Sequence, residues 1–285
     1  MTLKEIFTVL PQYALPHHAL SGLMSKLTHC QNKTWKNLFI QSIIRLYGVN
    51  INEAKFANLN HYASFNAFFT RELKDGARSI AQGDTLACPA DGAISQAGAI
   101  SAGRIFQAKG HDYTALELLG GDAERAVAFA DGTFATIYLS PKDYHRLHMP
   151  LTGTLKEMVH IPGRLFSVNN TTVGAVPNLF ARNERVACIF DTDAGPMALI
   201  LVGAIFVSSI ETVWHGVVTP PTSSETRTWR YEDDIPVLEK GAEMGRFNMG
   251  STIIVLFGKE QIALNEDLIA GKAVQLGEAI GRTLA

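Results

Sequence analysis

Thr252-Ile-Ile-Val-Leu-Phe257 is a run of six residues that contains no charge, no glycine and no proline. β-Branched and aromatic residues suit a pleated strand, and an uninterrupted apolar run predicts a strand that is buried. Two other runs have the same character, Thr133-Phe-Ala-Thr-Ile-Tyr-Leu139 and Met197-Ala-Leu-Ile-Leu-Val202. These runs predict that the core of the protein is a β-sheet.

From about residue 81 onward, short runs of this kind are separated by turn signals. Glycine or proline marks the turns predicted at Asp91-Gly92, Asp131-Gly132, Pro162-Gly163 and Gly245. Long helical patterns do not alternate with the strands, which argues against a doubly wound parallel sheet. We therefore expect a mainly antiparallel β domain of the sandwich or barrel-like type.

The N-terminal part of the chain has a helical period instead. Apolar residues three and four positions apart form two stripes, Leu20, Leu23, Met24 and Leu27, then Trp35, Leu38, Phe39, Ile43 and Leu46. Gly48 is suited to end the second helix, and Ser64 is suited to cap a third, short helix. The chain is therefore predicted to be α+β, with a helical region at 1–75 and a β-rich domain at 76–285.

Charge is distributed unevenly along the chain. Residues 1–50 carry five basic side chains against one acidic side chain, a charge of +4 that leaves −6 for the remainder. Basic residues interleaved with apolar ones favour an anionic lipid surface, whereas packing of the stripes on the protein's own core is the alternative. The pI near 6.5 disfavours nucleic-acid binding.

Cysteine content and hydropathy restrict the cellular setting. The three cysteines have no CxxC spacing, so neither a disulfide framework nor a zinc site is expected, and a reducing compartment fits best. The first apolar run is broken by Pro11 and Pro16, which makes a signal peptide a poor prediction. A spanning helix needs roughly 18 apolar residues in a row, and the sequence has no such run. We expect a protein that lies on a membrane without crossing it.

Three separate segments carry candidate catalytic residues. Gly250-Ser251 directly precedes the buried run, Asp91 lies at a turn, and His145 and His148 share one short segment. A hydroxyl, an imidazole and a carboxylate are the parts of an activated serine nucleophile, although sequence spacing does not show that they meet. The HxxH spacing lacks the glutamate of HExxH, so no metal site is expected.

Longer motifs connect these segments to a known family. The chain resembles bacterial phosphatidylserine decarboxylases over nearly its whole length, through the segments Tyr62-Ala-Ser-Phe-Asn-Ala-Phe-Phe69, Pro162-Gly-Arg-Leu-Phe-Ser-Val-Asn169, Pro177-Asn-Leu-Phe-Ala-Arg-Asn-Glu-Arg185, Gly203-Ala204, Ile210-Glu-Thr-Val-Trp214 and Met249-Gly-Ser-Thr252. The family usually has leucine where this chain has Met249, a change that conserves volume and apolarity.

The resemblance implies a self-processing enzyme. The chain would cut itself between Gly250 and Ser251, and Ser251 would become a covalent pyruvoyl cofactor. By similarity, Asp91, His148 and Ser251 carry out the cleavage, and His145 is the candidate acid in the later decarboxylation. Fragments 1–250 and 251–285 would stay associated.

The same resemblance implies the substrate and the location. The substrate would be phosphatidylserine and the product phosphatidylethanolamine, made by a peripheral protein on the cytoplasmic face of the cell membrane. A homodimer is compatible with the sequence.

Two other functions remain open at this point. A serine peptidase or esterase would use the same residues but keep Ser251 intact, although a GxSxG motif is absent from the sequence. A non-catalytic membrane-surface binding module would leave the histidines with structural roles.

Overall fold

The strand that follows Gly250-Ser251 lies in the middle of the largest sheet. The computed structural model describes residues 3–206, 209–220 and 223–284, with side chains from residue 7 onward. Its strands are β1 (Thr85–Ala87), β2 (Gly92–Ala99), β3 (Arg104–Ala108), β4 (His111–Thr114), β5 (Thr133–Tyr138), β6 (Arg146–His148), β7 (Gly153–Ile161), β8 (Arg185–Thr192), β9 (Gly195–Val202), β10 (Ser209–Thr212), β11 (Gly216–Thr219), β12 (Arg227–Arg230), β13 (Val237–Leu238), β14 (Glu243–Asn248), β15 (Thr252–Phe257), β16 (Ile262–Leu264), β17 (Ala273–Val274) and β18 (Ala279–Thr283).

The three runs with which the sequence analysis began are neighbouring strands. Within the described residues, nine strands form the main sheet in the order β12-β7-β8-β9-β15-β5-β2-β17, and β13 also pairs with β7. β15 pairs antiparallel with β9 on one side and β5 on the other, over all six of its residues. The α+β prediction is confirmed, and the sheets of the described chain do not close into a barrel.

Both faces of β15 are covered, which explains why its sequence does not alternate. Ile253, Val255 and Phe257 belong to a core cluster shared with the small sheet β11-β10-β14-β6. Ile254 and Leu256 face the opposite cluster, under the short helices. A strand covered on both faces is apolar at every position, as this one is.

The helices lie mainly in the N-terminal region. Those of the described chain are α1 (Leu3–Ala14), α2 (His17–Thr28), α3 (Lys33–Tyr47), α4 (Phe65–Phe69), α5 (Ala115–Leu118), α6 (Ala123–Val127), α7 (Asn170–Val173) and α8 (Leu179–Arg182). α3 ends at Gly48, which adopts a left-handed φ of 70°, and α4 begins after Ser64, whose side chain accepts from the Ala67 amide. Both cap predictions are confirmed.

Two features of the backbone differ from the sequence expectations. α1 was not predicted, and it continues through Pro11. The turn predicted at Gly245 is wrong, because this residue lies inside β14. A Cβ there would lie 2.4 Å from the Glu211 carbonyl oxygen, so glycine is needed for close approach of the neighbouring strand.

The first two helices are anchored to one loop of the β domain. The Gln12 side chain accepts from the Ser167 amide at 2.8 Å, and His17 Nδ1 accepts from the Leu165 amide at 3.2 Å. Arg164 donates to the Tyr13 carbonyl at 2.8 Å. These contacts fix the helical region against the segment that borders the candidate site.

Candidate active site

Ser251 lies in the link between two strands, with its hydroxyl unused. β14 ends at Asn248 and β15 begins at Thr252, so the link is only three residues long. Ser251 is fully buried, and its Oγ has no hydrogen-bond partner. Its carbonyl accepts from the Leu139 amide at 2.8 Å, which fixes the backbone while leaving the hydroxyl available for chemistry.

His145 presents a lone pair to the residue before Ser251. Its Nδ1 must donate to the Asp143 carbonyl, 2.8 Å away, because a carbonyl oxygen only accepts. Nε2 is therefore the acceptor nitrogen, and it is buried without a partner. A Cβ on Gly250 would lie 3.2 Å from this Nε2 and 3.9 Å from Phe69 Cζ. The His145 imidazole therefore lies close to Gly250, the residue before the predicted cleavage point.

Burial keeps the His145 ring neutral. The pKa of His145 is lowered to about 3, mainly by burial and also by the positive charge of Arg71, while the bond to Asp143 acts in the opposite direction. Phe69 lies against the ring with a centroid separation of 4.0 Å, which excludes water from that face.

His148 is held in the same tautomer, but its second nitrogen is occupied. Nδ1 donates to the Gly241 carbonyl at 2.8 Å, and Nε2 accepts from the Tyr144 hydroxyl at 3.2 Å. Burial is the main cause of a lowered pKa for His148, and the bond to Gly241 acts in the opposite direction. In this arrangement His148 would have to release Tyr144 before it could take a proton from another group.

Asp91 is paired with an arginine that the sequence analysis did not identify. Its carboxylate accepts from Arg78 Nε at 2.9 Å and from the Leu276 amide at 2.8 Å. The His148 amide donates to Pro89 O at 2.9 Å, which brings the two segments together. The described hydrogen bonds therefore join His145 and His148 to their own surroundings, and neither ring is bonded to Asp91.

A cavity opens beside Gly250. It has a volume of about 290 Å³ and is lined largely by apolar side chains. Ile43 and Tyr47 of α3 form part of its wall, together with the loop at 167–169. This role of α3 was not predicted from the sequence, because helical periodicity shows that a stripe is apolar and not which stripe residues border a cavity.

A second cavity of about 680 Å³ lies nearby and is more polar. Arg71, Arg78, Asp91 and Lys142 border it, and Tyr138 borders both cavities. Within the residues that the structure describes, no cluster of three or more His, Cys, Asp or Glu side chains could hold a metal ion. No helix of the described chain is both long enough and apolar enough to cross a bilayer.

Comparison with known proteins places the chain in a family. The family model described as phosphatidylserine decarboxylase matches residues 65–282, and a model described as PSD matches residues 7–48. The chain is 57% identical over 284 residues to the phosphatidylserine decarboxylase proenzyme of Pseudomonas aeruginosa strain LESB58, covering 98% of each chain. It is 58% identical over 282 residues to the proenzyme of Pseudomonas entomophila strain L48, again with 98% of each covered. This chain therefore belongs to the phosphatidylserine decarboxylase family of carboxy-lyases.

Proposed function

We propose that this protein converts phosphatidylserine to phosphatidylethanolamine with a pyruvoyl group that it makes from Ser251. The observation that carries the proposal is the junction of Gly250 and Ser251. A buried, unpartnered serine hydroxyl follows a glycine that lies against the free nitrogen of His145. The proenzyme name of the relatives supports a step in which the chain is processed.

The processing step uses only groups of this chain and one water molecule. Ser251 Oγ attacks the Gly250 carbonyl carbon, the peptide nitrogen leaves with a proton, and an ester forms. Loss of the Ser251 α-proton then breaks the Oγ–Cβ bond, releases the Gly250 carboxylate and leaves dehydroalanine. Water then hydrolyses the dehydroalanine: its nitrogen leaves as ammonia, and the pyruvoyl group remains on fragment 251–285.

The residues present fit such a group. The position is buried at the start of a central strand, so the carbonyl that replaces the serine side chain would be held on a rigid element. When present, the group supplies a carbonyl that binds the substrate amine and accepts electrons as carbon dioxide leaves. The neighbouring protein groups position the substrate, exclude water and move protons.

The two histidines are proposed to act at different stages. By the resemblance, His148 and Asp91 serve cleavage, and His145 returns a proton to the substrate carbon. For His148 to act on Ser251, it must first release Tyr144. A base works best with a pKa near the working pH, and a pKa of about 3 makes His145 a poor proton acceptor.

One observation favours His145 instead of His148 as the base for cleavage. His145 Nε2 is already beside Gly250 with a free lone pair, whereas His148 Nε2 is not. In that case one imidazole would serve both stages, first as base and then as acid.

Measuring cleavage and turnover on the same preparations tests these assignments. Ser251→Ala should remain a single chain of 31.0 kDa, while the unmodified protein yields two fragments and a pyruvoyl-bearing N-terminus by mass spectrometry. His148→Ala should stay largely uncut. His145→Ala should cut but decarboxylate more slowly, by a factor on the order of 10²–10⁴ for a lost general acid.

Each outcome has a distinct reading. Uncut His145→Ala with normal cutting of His148→Ala would make His145, and not His148, the base for cleavage. Normal cutting and turnover in both variants would remove the histidines from the mechanism. A parent protein that decarboxylates without being cut would refute the pyruvoyl proposal.

A serine peptidase or esterase is less well supported. Its nucleophile must meet a substrate from outside, yet Ser251 has no exposed surface. The chain belongs to an enzyme family, which argues against a non-catalytic binding module.

We also propose that the helical region, residues 1–75, holds the enzyme on an anionic membrane surface. On α2 the buried side chains are polar, His17, Ser21 and Thr28, whereas Leu23 and Leu27 are exposed. On α3, Leu38 and Leu46 are exposed by 59% and 73%. Apolar side chains that point away from the core suit the boundary region of a bilayer.

The charge count of residues 1–50 needs one correction. Lys36 is buried, and its Nζ donates to the Leu59 carbonyl at 2.8 Å, so one of the basic residues serves the fold rather than the surface. Deleting residues 1–50 would also remove Ile43 and Tyr47 from the cavity beside Gly250. Point substitutions on the exposed face are therefore the better test of membrane binding.

A further inference from the structure

Arg71 is a buried cation with most of its hydrogen-bonding capacity unused. The residue is 4% exposed, and its Nε and Nη1 are buried without a partner. Nη2 donates to the Lys142 carbonyl at 3.2 Å, and the guanidinium lies 5.2 Å from the centre of the Phe68 ring. Burial lowers the pKa of Arg71, but a guanidinium remains charged in proteins.

The carboxylates whose charges act on Arg71 are hydrogen-bonded to other groups. Asp91 and Glu53 both accept from Arg78, and Asp143 accepts from the Ser140 amide and hydroxyl. Among the described residues, no carboxylate forms an ion pair with Arg71. A buried charge without a partner is costly, and such a charge in a native protein calls for an explanation.

Arg185 shows how this chain stabilises a buried arginine when the role is structural. It is 2% exposed, and its guanidinium donates to four backbone carbonyl oxygens. Arg71 has one such bond. The difference leaves Arg71 with donors that could bind a further partner.

Arg71 is linked to the surroundings of His145, whose ring borders Gly250. Arg71 Nη2 donates to the Lys142 carbonyl, and the carbonyl of the next residue, Asp143, accepts from His145 Nδ1. Phe69, two residues before Arg71, contacts both the His145 ring and the Gly250 position. The charge of Arg71 also contributes to the lowered pKa of His145, whose Nε2 faces Gly250.

We infer that Arg71 receives the carboxylate of Gly250 that self-cleavage creates. This inference rests on the proposed processing of Ser251. In the elimination step, the Oγ–Cβ bond of Ser251 breaks and its electron pair leaves with the Gly250 carboxylate, while the α-proton passes to a base. A carboxylate released into a buried, apolar site needs a cation, and the fork of a guanidinium matches its two oxygens.

The substrate carboxylate is a second source of the same chemistry, and burial argues against it. Arg71 borders the polar cavity of about 680 Å³, but its unpartnered Nε and Nη1 each expose less than 1 Å², so an anion that enters this cavity does not contact these two nitrogens in the uncut chain. A carboxylate formed from Gly250 arises inside the site. The tests below separate the two sources.

The cleavage test compares Arg71→Met, Arg71→Lys and a control arginine. Arg71→Met should slow fragment formation on the order of 10²-fold, as expected for the loss of one preorganised electrostatic partner, and Arg71→Lys should recover part of the rate. Arg104→Met should cut normally, because Arg104 is exposed and pairs with Asp112. The slow Arg71→Met chain should accumulate the ester, so hydroxylamine should split it into a Gly250 hydroxamate and a fragment beginning with unmodified Ser251.

A stability test separates this role from a structural one. In the uncut Ser251→Ala chain, Arg71→Met removes an uncompensated charge, so the urea midpoint should be unchanged or higher. A lower midpoint together with slow cleavage would make Arg71 a structural residue and overturn the inference.

Two other outcomes would also overturn it. One is slow cleavage without a hydroxylamine-sensitive ester. The other is normal cleavage of Arg71→Met, which together with a raised KM for phosphatidylserine would assign Arg71 to the substrate. If the parent protein is not cut at all, the proposed function fails first, and the fragment pattern of the parent reveals this independently.

Discussion

Cleavage before Ser251 would leave two fragments joined only by noncovalent contacts, and we predict that they remain associated. The small fragment begins with β15, which is buried at all six positions between β9 and β5. Burying its five large apolar side chains contributes about 8–15 kcal/mol at ~1.5–3 kcal/mol each. Association costs about 4–15 kcal/mol in lost freedom, and pairing of β17 with β2 and of β18 with β1 adds to the favourable side.

The substitution Leu256→Ala should weaken the association of the two fragments by a calculable amount. Leu256 is fully buried, and truncation of such a leucine costs about 2–5 kcal/mol. Since each 1.4 kcal/mol is tenfold in affinity, the Kd between fragments should rise about 30- to 4,000-fold. Leu284→Ala is the matched control, because Leu284 belongs to the same fragment and is 50% exposed.

Dilution of the cleaved protein, followed by gel filtration, measures the Kd. Urea unfolding at two protein concentrations gives a second measure, since only the cleaved form should have a concentration-dependent midpoint. The urea midpoint of the uncut Ser251→Ala chain should not depend on protein concentration. Separation of the fragments in buffer without denaturant, or an unchanged Kd in Leu256→Ala, would refute the reasoning.

Two further predictions concern pH and lipid. The pKa of His145 is lowered from its ordinary 6.5 to about 3, so the unfolded chain binds the extra proton between these values. Stability of the Ser251→Ala chain should therefore fall as pH drops from about 6.5 toward 3, by up to about 1.4 kcal/mol per pH unit for this group, and His145→Phe should flatten the slope in urea titrations. Replacing both Leu38 and Leu46 with serine should weaken binding to anionic vesicles roughly tenfold or more in sedimentation assays, because their apolar surface leaves the bilayer. Val237→Ser changes an exposed strand residue of the β domain and should bind vesicles as the parent does. Equal loss of vesicle binding in this control and in the double leucine variant would contradict binding through a specific helical face.

Local signals in the sequence predicted much of the fold. Gly48 and Ser64 work through their own backbone geometry, so their helix boundaries follow from residue type. The run at Thr252–Phe257 predicted a buried strand because every position is apolar. The turn predicted at Gly245 was wrong, since a glycine needed for close strand approach looks the same in sequence as a turn glycine.

The site was less predictable, because its contacts join distant segments. Residue types pointed to Ser251, His145, His148 and Asp91. The partners of the last two, Tyr144 and Arg78, depend on side-chain positions that no spacing rule gives. The unpaired state of Arg71 was equally invisible, since a buried cation is recognised only once its surroundings are known.

The backbone conformation of Met249 favours the proposed cleavage over the reverse reaction. Its φ of 86° lies in the left-handed region that side chains rarely adopt, at a cost on the order of 1–3 kcal/mol. The intact link holds it there between β14 and β15. Once Gly250 ends a chain, Met249 is free to relax, and rejoining the fragments would require restoring the unfavourable backbone. Because Ser251 is itself consumed in the proposed reaction, each molecule would mature once and irreversibly, so the amount of active enzyme would follow its synthesis and degradation instead of an equilibrium between two forms.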